Sequence, residues 1–225
     1  MPLAVGVDGA GSGWVAVGLR NAEFAFARYF PDLADLLESN SEAGVIAIDL
    51  PIGLAEGLRT ADVEARAMLG QRRSSLFPMP PRGLADLSYE EARMQWAGRP
   101  GAGFSKQTWA VVAKVVAEQD LIRRLDPVGS RIIEVHPELS FMEMAGQPMA
   151  ASKRTWNGLQ ERFAVLASGM GVPADLGDLG PASADDVLDA FAAAWTAERF
   201  SRGAALSVPE HATNFYGDRP IQIWR

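Results

Sequence analysis

The chain has 225 residues, 48% hydrophobic and 22% charged, which suits one large globular domain that buries its core without covalent staples. It has no cysteine and only two histidines, His136 and His211; disulfides and thiolate zinc sites are excluded, and any metal falls to oxygen ligands, which favours magnesium or manganese over zinc. The formal net charge is −7, with no basic run beyond Arg72-Arg73, Arg123-Arg124 and Lys153-Arg154, which argues against a long polyanionic substrate.

Residues 3–8 (Leu-Ala-Val-Gly-Val-Asp) read as a short apolar strand, hence a central one. Gly9 to Gly13 make a turn, and residues 14–19 form a second strand that closes a hairpin. Asn21 turns the chain into a third strand around 23–29. A helix is expected from near Pro31, with Leu33, Leu36 and Leu37 on one face. Residues 45–50 give a fourth strand, apolar enough to be parallel and covered on both faces, and Pro51 ends it.

From about 57 to 128 the pattern is helices and loops. Thr60 is a candidate cap, and Ser88 with Glu91 spells a capping box. A Pro-rich loop at 77–81 separates them. A long helix follows Ser105, with Val111, Val112, Val115, Val116 and Ile122 as core candidates. Residues 131–135 return to strand. Helices are expected near 138–145 and 156–169, then from a Ser183 cap to about 200, and residues 221–224 as a short edge strand. No stretch matches a secretion leader or a membrane span, so a cytoplasmic protein is expected.

Right-handed crossovers put the first, fourth and fifth strands parallel and adjacent. The expected fold is therefore α/β: a mixed five-stranded sheet of order 3-2-1-4-5 with strand 2 antiparallel and helices on both faces. Residues 1–225 form one domain, with a large helical insertion at about 57–128 between strands 4 and 5. Ligands of such sheets collect at the carboxyl ends of the parallel strands. Acids stand at three of those ends: Asp8, Asp49 and Glu134. The last helix opens with Asp185, Asp186 and Asp189, the last of these sharing a face with either of the others. Carboxylates gathered in one place repel, and a divalent cation is the usual remedy. Two cations would activate water and steady a leaving oxygen, the chemistry that cleaves phosphodiesters. Each acid also has an ordinary reading: Asp8 and Asp49 as turn residues, Glu134 as a solvated or paired acid, Asp185 and Asp186 as partners of the helix dipole.

Other residues carry paired readings. Arg72-Arg73-Ser74-Ser75 offers donors to a phosphate, or is an exposed charge pair entering a loop. His136 is a general acid or base, or a structural histidine before Pro137. Lys153 contacts a phosphate as a point charge, or is solvated. Trp109 is read as core. The glycines between 9 and 13 let a phosphate approach the backbone, or serve only the hairpin.

The runs Val5-Gly6-Val7-Asp8-Gly9 with Gly13-Trp14, Ile48-Asp49-Leu50-Pro51-Ile52-Gly53-Leu54, Arg72 to Pro78, Ser105-Lys106-Gln107-Thr108-Trp109 and Glu134-Val135-His136-Pro137-Glu138 with Phe141 stand in order along the chain. Lys153 with Thr155 and Gly158, then the Asp186–Asp189 helix start, complete them. The pattern resembles a family of prokaryotic proteins described as predicted nucleases of RNase H-like fold (domain of unknown function 429). The resemblance implies metal ligands at the end of the first strand, the end of the fourth and the last helix, positions that Asp8, Asp49 and Asp186 with Asp189 match. Glu134 has a weaker parallel. It leaves open which of Asp185, Asp186 and Asp189 is the ligand. Arg72, Arg73, Ser74 and Ser75, which it supports, and Gln107 and Lys153 are expected as substrate contacts. The expected protein is a Mg2+- or Mn2+-dependent nuclease or phosphodiesterase acting on a phosphate-containing substrate, such as a short nucleic acid. Two alternatives stand beside it: a nucleotide-binding or phosphotransfer protein related to the actin and sugar-kinase folds, and a non-catalytic binding module.

Overall fold

The computed structural model describes residues 2–99 and 104–225. The chain opens with two hairpins. β1 (Ala4–Ala10) and β2 (Gly13–Arg20) pair antiparallel around Gly11-Ser12, with Gly11 at φ +56°. The glycine-rich stretch expected as a loop is mostly ladder: Gly9 pairs with Trp14 and Ala10 with Gly13. β3 (Glu23–Phe30) pairs back on β2. Helix α1 (Leu33–Ser39) is capped by Asp32, which accepts from the Asp35 N–H, and it buries Leu33, Leu36 and Leu37 as expected.

β4 (Val45–Ile48) follows. The next segment carries α2 (Thr60–Leu69), a 3-10 stretch Gly70–Ser75, α3 (Tyr89–Trp96) and α4 (Lys106–Leu125). No strand lies among its described residues. β5 (Ile132–Glu134), α5 (Pro137–Ala145), α6 (Trp156–Gly169) and α7 (Ala184–Ser201) complete the main elements. The sheet order is β3-β2-β1-β4-β5, with β2 antiparallel to β1 and the β1-β4-β5 trio parallel.

Contacts divide the chain into two compact units. One comprises residues 1–50, 130–206 and 224–225; the other comprises 51–129 with 207–223. The sheet and α7 belong to the first. There, Ala4, Val45, Ala47, Ile133 and Val135 pack with Ala193 and Ala197 of α7. Val15, Val17 and Leu19 of β2 join Phe191 and Leu188 in an adjoining core. Gly6 sets how near α7 lies: a Cβ there would stand 2.0 Å from the Ala194 amide nitrogen and 2.1 Å from the Ala190 carbonyl. Only glycine on the strand and alanines on the helix allow that approach.

In the second unit, α4 buries Val112, Val115 and Ile122. Trp109 packs with Tyr89, Trp96 and Phe104 around Leu84 and Ala92, a core role as expected. Thr60 is not the cap of α2: it opens the helix, and its N–H is satisfied by Asn214 Oδ1 at 2.7 Å. The strands Phe215–Tyr216 and Arg219–Pro220 pair there too, so the unit draws on the C-terminal stretch as well as the insertion.

Candidate functional site

Strand alternation decides which acids meet. Ala4, Gly6 and Asp8 share the face of β1 that α7 covers, and Asp49 shares the face of Ala47. The parallel register pairs Val7 with Ile48, and the Asp49 N–H donates to Val7 O at 2.9 Å, which puts Asp8 and Asp49 side by side at the strand ends. Across them lies the first part of α7. Ser183 caps it, accepting from the Asp186 N–H, and one turn further Asp189 points inward, 2% exposed.

A fourth charge comes from the 150–155 loop. Gly158 lets that loop press on α6, since a Cβ there would stand 1.9 Å from Ser152 O. Thr155 caps α6 and donates to Ser152 O at 2.8 Å. Glu161 accepts from the amides of Ala150 and Ala151, at 2.7 and 2.9 Å, and Arg162 donates to Ala151 O at 3.1 Å. So held, Lys153 donates its ammonium to Asp189 Oδ2 and stands 3.8 Å from Asp185 Oδ2. Asp189 Oδ1 is buried and accepts no hydrogen bond among the described residues.

The electrostatics follow from burial and crowding. Asp8, 6% exposed, has its carboxyl pushed well above the usual range, first by burial and then by the fields of Asp49 and Asp189, against the opposing pull of Lys153. Asp189 is pushed up to about 7: burial dominates, Lys153 opposes it, and Asp49 and Glu138 add to it. Burial works against the Lys153 ammonium, yet Asp189, Asp8 and Asp49 together hold its proton more firmly than usual.

The other expected residues have different settings, though the field of Asp186 also reaches Asp8 and raises its carboxyl. Glu134 is buried, but Ile133 and Val135 on either side of it face α7, so alternation turns Glu134 to the opposite face of the sheet, away from Asp8. His136 is the N-cap of α5, half-buried, with no side-chain cap bond. Asp186 is engaged in a capping box, with Oδ2 accepting from the Ser183 N–H at 2.9 Å. Asp185 Oδ1 accepts from the Ser183 hydroxyl at 2.6 Å. Arg72, Arg73, Ser74 and Ser75 form the 3-10 stretch of the second unit, where the Ser75 hydroxyl donates to Arg72 O at 2.8 Å. Gln107 lies in the first turn of α4, and its side chain is outside the described residues.

Sequence reasoning passed over Glu138, in the first turn of α5, whose Oε1 accepts from Arg162 Nη2 at 2.5 Å in a fully buried ion pair. Glu138 thus has a partner 24 residues away, and no local pattern marks the pair.

For a divalent cation, the donors fit in kind. They are all oxygen, and Asp189 Oδ1 is a buried acceptor without a donor among the described residues. In arrangement, no three acids or imidazoles among the described residues stand together as a ready metal set; the ammonium of Lys153 supplies the positive charge there instead. The family model described as "Protein of unknown function (DUF429)" matches residues 6–214, and the chain belongs to that family. No curated protein and no solved structure matches the chain.

Proposed function

With that family membership as premise, we propose that the protein is a metal-dependent phosphodiesterase or nuclease of RNase H-like type, with Asp8, Asp49 and Asp189 holding Mg2+ or Mn2+. One observation carries the proposal: two adjacent parallel strand ends and an unusually close helix bring buried Asp8 and Asp189 and half-buried Asp49 into one field. Burying several carboxylates together is costly, and packing alone gives no reason to do it. A cation held there would supply activation of water and neutralisation of charge at the phosphate. The chain's own residues do the rest. Asp189 is the choice among the three acids of α7, because Asp185 and Asp186 are spent on the helix start. Lys153 holds Asp189 in place and offsets charge around Asp8 and Asp49. The net charge of −7 favours short or single-phosphodiester substrates over a long duplex.

The test is hydrolysis of short single-stranded DNA and RNA and of a small aryl phosphodiester with Mg2+ or Mn2+. Wild type should turn over at least one of them, and Asp8→Asn, Asp49→Asn and Asp189→Asn should each fall to background while remaining folded. Equal rates in all four proteins refute the proposal.

A second reading rests on the lack of a ready three-acid set among the described residues: a non-catalytic module in which Lys153 is the permanent counter-ion. It predicts no stabilisation by Mn2+ in a thermal-shift titration, whereas the enzyme reading predicts stabilisation that Asp189→Asn abolishes.

A further inference from the structure

The second compact unit contains a cavity of about 550 Å³, within the range of roughly 300–1,000 Å³ usual for small-ligand sites. One part of its wall is apolar: Leu58, Val63, Phe77, Pro78 and Phe104. The remainder is cationic and hydroxylic, with Arg59, Arg66, Ser74, Ser105 and Thr108. No carboxylate is among these lining residues. In a chain with 28 acidic and 21 basic residues, a cavity with two arginines and no acid in its wall runs against the overall balance.

The two arginines differ. Arg59 is buried, and its Nη1 stands 3.2 Å from Asp62 Oδ1; Asp62 is itself fixed by the Met79 N–H at 2.7 Å. The charge of Arg59 is therefore largely answered inside the wall. Arg66 is held by neutral partners: its Nη1 donates to Arg73 O at 2.7 Å and to Leu76 O. Two carbonyls orient the guanidinium without cancelling its charge. A fork pinned at one nitrogen presents its remaining donors in a fixed direction, as recognition of a carboxylate or phosphate requires. The same bonds tie Arg66 to the 3-10 stretch, from which Ser74 also lines the cavity. Of the Arg72–Ser75 motif, it is thus Ser74 that this cavity uses.

We propose that this cavity binds a small molecule made of a compact apolar body and one anionic group, a phosphate or a carboxylate. The anion sits on Arg66 and Ser74, and the body lies against Val63, Phe77 and Phe104. Every lining residue of this site belongs to the second compact unit.

Calorimetric titration of the full chain tests this with two probes, phenyl phosphate and benzoate, which separate phosphate from carboxylate preference. Phenol and inorganic phosphate serve as the isolated halves. At least one probe should saturate, with both halves weaker by about tenfold or more, since each lacks either the charged hydrogen bonds or the apolar contact. Arg66→Met should weaken the winning probe by about tenfold or more. Because Arg66 also braces two carbonyls, Val63→Trp is the second variant: it fills the cavity from an exposed helix position and leaves Arg66 untouched. It should abolish binding with little change in melting temperature. Asp189→Asn should bind as wild type does, which separates this site from the proposed catalytic one. Absence of saturable binding of both probes to wild type overturns the proposal, as does affinity unchanged in Val63→Trp or lost in Asp189→Asn.

Discussion

Asp189→Asn should change how stability depends on pH. The carboxyl of Asp189 rises from its ordinary 3.8 to about 7 in the folded chain. Between those values the folded state keeps a proton that the unfolded chain has released. The group's contribution is therefore complete below about pH 4 and is lost as pH rises through 7. The displacement corresponds to on the order of 4 kcal/mol, an upper figure because Asp8 titrates in the same field. Asparagine keeps the shape of the neutral acid and does not ionise. Urea unfolding at pH 4.5 and pH 8, without divalent cations, should show wild type losing up to about 3 kcal/mol more than Asp189→Asn across that interval. The variant is then the more stable protein at pH 8. Parallel stability profiles would mean that Asp189 is not held in a buried, crowded field, and the electrostatic account of the site would fail with it.

Gly6→Ala places a methyl 2.0 Å from the Ala194 nitrogen, so α7 must move; a loss of about 3 kcal/mol or more in urea unfolding is expected, together with loss of any Mn2+ stabilisation. Asp186→Ala removes half of the capping box and should cost about 1 kcal/mol, while any metal response persists. Arg162→Met leaves Glu138 buried without its cation and should cost about 3–5 kcal/mol; Arg162→Met with Glu138→Leu should recover much of that loss in chemical denaturation.

Much of the fold was legible. Runs such as Val45-Ile46-Ala47-Ile48 are too apolar to be anything but covered strands, and one strand order satisfies right-handed crossovers between them. The caps at Ser88 and Ser183 were legible because a cap is a short-range bond between neighbours. The cap of α2 was not, because Asn214 lies 154 residues from Thr60. Nor was the joining of residues 207–223 to the insertion, since strands of two residues leave no periodic trace.

The candidate site divides in the same way. By itself, the sequence determined that Asp8 and Asp49 end adjacent parallel strands, because hydrophobic runs and crossover handedness are properties of the local chain. Tertiary structure decided the remainder. Glu134 ends a strand as they do, yet it faces the other way, which depends on the side α7 covers. Three acids share the start of α7; Asp185 and Asp186 bond back to Ser183, while Asp189 is buried and tethered by Lys153. The physical reason is one of range. Alternation and capping act over a few residues, whereas burial and the summed field of charges depend on groups from distant parts of the chain.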